Sequence, residues 1–122
     1  MKKIKILVAA ALICTMILSL CACSIKKEDV TGSWSSTYNY QGEDYACTFT
    51  LSDDGDYHYI LFKNGVLNTI EDGTYEIKGK KVLLYRNGDK GVSRTYKSEG
   101  EVLVNNGHEF SKGELDMSLF EF

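Results

Sequence analysis

A chain of 122 residues with 17 acidic and 14 basic side chains is one domain's worth of sequence, and its formal net charge is −3. That balance supplies no basic stripe for nucleic acid and no electrostatic grip on anionic lipid. Proline is absent, so every strand the chain forms keeps its full set of backbone donors.

The N-terminus reads Met1-Lys2-Lys3-Ile4-Lys5, then an uncharged run from Ile6 to Leu20, then Cys21-Ala22-Cys23. Positive start, apolar middle and small residue before a cut are the three parts of a secretory signal. The Leu20-Cys21-Ala22-Cys23 ending resembles the lipobox of bacterial prolipoproteins, Leu-x-small-Cys. The resemblance implies a diacylglyceryl group on the sulfur of Cys23 and cleavage after Ala22, with Leu20 and Ala22 as recognition positions. Cys21 fits less well, because bulky Leu20 would occupy the small-residue position. The charge-free run extends to Ile25, 20 residues in all, which is also long enough for an uncleaved transmembrane anchor. Either way the segment is expected to be helical before processing, and the domain sits on the outer side of the membrane. Two acyl chains give stable anchoring at about 0.8 kcal/mol per buried methylene.

Without residues 1–22, which hold Lys2, Lys3 and Lys5 and no acid, 11 basic residues face 17 acidic ones, a net charge near −6. Cys14 and Cys21 leave with the signal and Cys23 carries lipid, so Cys47 stands alone. No internal disulfide and no cysteine zinc site are expected. Residues 23–29 (Cys-Ser-Ile-Lys-Lys-Glu-Asp) read as a lipidated, charged tether, and residues 30–122 as the folded domain.

From Val30 onward the chain alternates strand and turn. Turn signals fall at Gln41-Gly42, Asp53-Asp54-Gly55, Asn64-Gly65, Glu71-Asp72-Gly73, Lys78-Gly79, Asn87-Gly88, Glu99-Gly100, Asn106-Gly107 and Lys112-Gly113. Asn-Gly and Asp-Gly tolerate the positive φ of tight hairpins, and their spacing of roughly 8–12 residues predicts a sandwich or barrel. Tyr45, Cys47, Phe49 and Leu51 share one face of a strand, with Ala46, Thr48 and Thr50 on the other. Tyr75 and Ile77 repeat the pattern. Val82-Leu83-Leu84-Tyr85 and Val102-Leu103-Val104 are continuous apolar runs, the mark of strands covered on both faces or at a layer edge. Leu115, Met117 and Leu119 alternate as a last strand that would close the sheet on the first. The expected fold is all-β, an up-and-down meander of about eight strands forming a small barrel behind the signal helix.

Gly32-Ser33-Trp34 at the start of the first strand resembles the Gly-x-Trp of the lipocalins and the wider calycin group, including small lipocalin-like domains of bacterial surface lipoproteins. The likeness covers about residues 30–122 and implies that Gly32 and Trp34 form a plug at one end of the barrel. The chain departs from that family in having no Thr-Asp-Tyr-type motif, only Arg86 and Arg94 could supply the late-strand arginine that packs over the tryptophan, and no C-terminal helix is expected. Gly55-Asp56-Tyr57 and Gly73-Thr74-Tyr75 echo the same glycine-bend, ring-plug arrangement.

An eight-stranded barrel either fills its interior with side chains or encloses one small ligand. Trp34, Tyr45, Phe49, Tyr57, Leu61, Tyr75, Ile77, Val82, Leu84, Val104 and Leu115 are candidates for that interior. A packed centre or a shallow aromatic cleft at one end are both compatible with this set. Tyr38, Tyr40, Tyr57 and Tyr59 fall at i, i+2 spacing in two neighbouring strands, which makes them either a binding platform or core. No metal is expected. His58 and His108 lack a motif, and Asp53-Asp54-Gly55-Asp56 lacks the ligand register of a calcium loop. No nucleophile elbow occurs, and Cys47 on an apolar face reads as a buried thiol, so no catalytic residue and no cofactor are expected.

The functional expectation is a monomeric, non-catalytic binding module on the cell envelope. It would be lipid-anchored through Cys23, facing the medium in a Gram-positive cell and the periplasm in a Gram-negative one. Its partner would be a small apolar ligand, a glycan or an envelope protein. The alternative is a structural or protein-interaction lipoprotein with a filled barrel.

Overall fold

The computed structural model describes residues 24–122. The expected signal of residues 1–22 and the lipobox positions Leu20, Ala22 and Cys23 lie outside the described residues. The chain from Gly32 onward forms β1 (Gly32–Tyr40), β2 (Glu43–Leu51), β3 (Asp56–Lys63), β4 (Val66–Lys78), β5 (Lys81–Arg86), β6 (Arg94–Glu99), β7 (Val102–Asn105) and β8 (His108–Lys112). Each strand pairs antiparallel with the next, and β8 returns to β1 through Trp34 and Ser35, closing a barrel with no free edge. The eight antiparallel strands anticipated from the turn spacing are therefore present. Gln41, Asn64 and Asn106 adopt positive φ in front of their turn glycines, as two-residue hairpin loops require.

Strand alternation decides what lies inside. Phe49, Leu51, Tyr57, Tyr75, Val82, Leu84, Tyr96, Leu103 and Phe110 point inward and are almost wholly buried. The Phe49 and Tyr96 rings meet at 4.4 Å between centroids, and Phe110 packs against both. The centre of the barrel is filled.

One end is closed by the N-terminal segment. The Ile25 amide donates to the Gly79 carbonyl at 2.9 Å, and a helical turn, α1 (Lys27–Val30), brings Val30 into the core. Residues 24–29, read from the sequence as a tether, thus take part in the fold from Ile25 onward. The Trp34 indole, 3% exposed, donates to the Val30 carbonyl at 2.8 Å, which satisfies its one polar atom. Gly32 has φ of +123°, a conformation that favours glycine. The cation over Trp34 is neither Arg86 nor Arg94 but Lys112, 5.5 Å from the ring, because β8 pairs with β1 at this rung.

Three further expectations are corrected. Glu71-Asp72-Gly73 is no turn but the middle of the 13-residue β4. Gly73 lies opposite Tyr57, whose ring occupies the space a β-carbon would need. Leu115–Leu119 is not a strand, since β8 already closes the sheet. That stretch ends in a 3₁₀ turn (Met117–Leu119) and lies across the outer face of β2–β4. There Leu115, Met117 and Phe120 cover Ala46, Ile60, Phe62 and Leu67, and Phe120 stacks on Phe62 at 4.4 Å. Glu121 fastens this strap by accepting from the Leu67 amide and donating to the Gly65 carbonyl, both at 2.8 Å. A bulge after Leu61 turns Leu67 outward toward this second cluster while Thr69 and Glu71 face in. Finally, the apolar run in β5 is covered on one face only: Val82 and Leu84 are buried, whereas Leu83 and Tyr85 are half-exposed. The same holds for β7, where Leu103 is inside and Val104 is not.

Candidate functional site

The end of the barrel opposite α1 is built by the β1–β2, β3–β4, β5–β6 and β7–β8 connections. Inward side chains there are longer and more polar than those below. His108 on β8, Tyr38 on β1 and Tyr45 on β2 stand on neighbouring strands, and their rings stack across the wall. The Tyr38 centroid is 3.8 Å from His108 and 5.4 Å from Tyr45, with interplanar angles of 15° and 23°. On the facing wall the Arg94 guanidinium lies over the Tyr59 ring, 4.0 Å from its centroid. The space between these walls is a cup of about 420 Å³, floored by Tyr96 and Phe110 and rimmed by Tyr40, Asn105 and Asn106.

Arg94 is held from inside the barrel. Glu71, 8% exposed, accepts from Arg94 Nη2 at 2.9 Å and from Nε at 3.3 Å, a forked pair that fixes the guanidinium plane. Arg86 Nη1 approaches the same carboxylate at 3.5 Å while its Nε donates to Asp89 at 2.9 Å. Burial raises the phenols of Tyr38, Tyr59 and Tyr96 above the ordinary range, and the Arg94 charge opposes that rise at all three. These three tyrosines therefore stay neutral and keep their hydroxyl protons.

Comparison with known proteins brings no relative to this site: no family model, curated protein or solved structure matches the chain.

The four tyrosines singled out by spacing do not form one surface. Tyr38 and Tyr59 are in the cup walls, and Tyr40 is at the rim and largely exposed. Tyr57 is core, 3% exposed, and its hydroxyl has no hydrogen-bond partner among the described residues. His58 points outward and pairs with Asp72, far from the inward His108, so the two histidines do not meet. Asp54 accepts from the Ser52 hydroxyl, which in turn accepts from the Asp56 amide at 3.0 Å, so this acidic stretch is organised as a hairpin turn. Sequence reasoning did not find Glu71 or pair it with Arg94, 23 residues away. The only available signal was an acid at an inward position of a strand otherwise alternating apolar and polar.

A larger recess of about 640 Å³ lies between α1 and β6–β8. Glu28, Asp29, Glu101 and Lys112 are among its lining residues, and its one aromatic, Trp34, is buried. The cup has the convergent polar groups and aromatic walls that small-molecule sites share, and its volume falls in their usual span of roughly 300–1,000 Å³.

Cys47 lies beneath the cup, 1% exposed, beside Tyr59. Burial pushes its thiol up to about 11 from an ordinary value of 9.0, with the Tyr59 phenol and the Arg94 charge opposing. An unfolded chain releases this proton near pH 9 while the folded chain holds it, so stability is complete below pH 9 and falls as pH rises toward 11. At about 1.4 kcal/mol per pKa unit, the loss attributable to Cys47 is about 3 kcal/mol. Denaturant midpoints at pH 8 and pH 11 should differ accordingly, and Cys47→Ala should make the decline shallower. An equally steep decline in Cys47→Ala would remove the thiol from this role.

Proposed function

We propose that this chain is a non-catalytic binding module of the cell envelope, lipid-anchored through Cys23, that takes one small ligand in the cup at the far end of its barrel. The lipobox and the Gly32-Ser33-Trp34 motif support the address and the lipocalin-like character. The cup supports the activity. Its aromatic walls are held open above a filled core, and its guanidinium is fixed in place before any ligand arrives. Preorganisation of this kind removes ordering costs that would otherwise weaken binding. The shallow aromatic cleft, rather than a deep apolar cavity, is the site that accords with the packed centre.

Two measurements test the two halves. Cys23→Ser should abolish incorporation of radiolabelled fatty acid and shift the protein from the membrane to the soluble fraction. Unchanged membrane retention would defeat lipid anchoring. Native mass spectrometry of the purified chain should show a small molecule that is lost in Tyr38→Ala. A ligand-free mass at every purification stage would favour the alternative, a structural lipoprotein acting through its outer surface. That reading draws on the filled barrel and on the exposed Val66, Ile70, Leu119 and Phe122.

A further inference from the structure

The polar groups facing the cup are unbalanced in a way that selects a ligand. None of the residues lining it is an aspartate or glutamate. The nearest carboxylate, Glu71, has both oxygens engaged by Arg94. Arg94 uses Nε and Nη2 for that pair, and Nη1 has no hydrogen-bond partner among the described residues. Asn105 already donates its side-chain amide to the Thr95 carbonyl at 2.9 Å. The cavity is therefore lined by one cation with a guanidinium nitrogen to spare and by no anion, while the tyrosine hydroxyls, Asn105, Asn106 and His108 can each donate or accept.

Resting on the binding reading above, we infer that the cup binds a small planar organic carboxylate, with its charge on the free edge of Arg94 and its ring against the tyrosine wall. A carboxylate matches the planar donor edge of a guanidinium, and a single charge answers a single free edge. A doubly charged phosphate would add a second negative charge close to Glu71. A neutral sugar would leave that guanidinium edge without a counter-charge.

The chain contains two arginines, Arg86 and Arg94, so the test can read each guanidinium separately. The full chain, carried in phosphatidylcholine nanodiscs, would be titrated with 2-naphthoate and with its neutral counterpart 2-naphthamide, using empty discs as the blank. Naphthoate should bind at least tenfold more tightly and should move the Arg94 Nε–H resonance while leaving that of Arg86 in place. Equal affinity for the two probes, or a response at Arg86 alone, would overturn the carboxylate assignment and leave the cup as a site for neutral ligands. Binding of neither probe would overturn both the assignment and the cup as a site. Glu71→Gln/Arg94→Gln, which removes both charges together, should bring the two probes to within about twofold of each other. A preserved tenfold preference in that variant would also overturn the assignment.

Discussion

Gly73→Ala should cost the fold on the order of 3 kcal/mol or more, among the largest losses any single methyl group could cause here. A β-carbon on Gly73 would lie 2.0 Å from the Tyr85 carbonyl oxygen and 2.6 Å from Cε1 of Tyr57. The first of these is backbone of the paired strand β5, so no rotamer change relieves it, and the barrel must open locally or shift register. Thermal or denaturant unfolding of the variant checks this, and a loss below about 1 kcal/mol would contradict it. The companion Gly73→Ala/Tyr57→Ala should not recover stability, since removing the ring leaves the carbonyl contact in place. Recovery would mean that the ring, not the backbone, sets the limit.

Arg94→Ala should destabilise by about 3–5 kcal/mol, the usual penalty for leaving one member of a buried ion pair behind. Glu71, 8% exposed in the wild-type chain, loses its forked partner in that variant, and only Arg86, half-exposed and 3.5 Å away, is left to answer its charge. Urea titration of the variant beside wild type reads the loss directly. Replacing both partners, as in Glu71→Leu/Arg94→Met, should restore most of the loss, because two apolar side chains need no partner. If the double variant is no better than the single one, the fork contributes packing rather than charge compensation.

The fold was legible where the chemistry is local. Asn64-Gly65 and Asn106-Gly107 mark hairpins because the conformation they tolerate is the one the turn demands, and Tyr45 to Leu51 alternates plainly enough to assign a buried face. Legibility failed where the reason for a residue lies across the barrel. Asp72-Gly73 has the composition of a turn, yet the glycine is there for a ring and a carbonyl on two other strands. Tyr96 and Phe110 each stand alone among polar neighbours, in Arg94–Glu99 and His108–Lys112, so their strands look too polar to be core-facing. Period-two alternation around one aromatic would have found them. The strap over β2–β4 alternates like a strand and was read as one. Only the closure of β8 onto β1 shows that no place in the sheet remained for it.

Taken with the proposed acylation of Cys23, the placement of the N-terminal turn sets an orientation. Ile25 and Val30 are fastened to the end of the barrel opposite the cup, and Ser24 is the one residue between Ile25 and Cys23. At roughly 3.3–3.6 Å per residue, that leaves less than about 10 Å of chain between an acylated Cys23 and the domain. The nine residues of β1, rising about 3.3 Å each and tilted as barrel strands are, carry the opening about 20–25 Å farther out. A protein held by the proposed anchor would keep the closed end of its barrel toward the bilayer and the cup away from it. It would sample solutes arriving from the aqueous side, and a lipid still embedded in its own leaflet could not reach the cup.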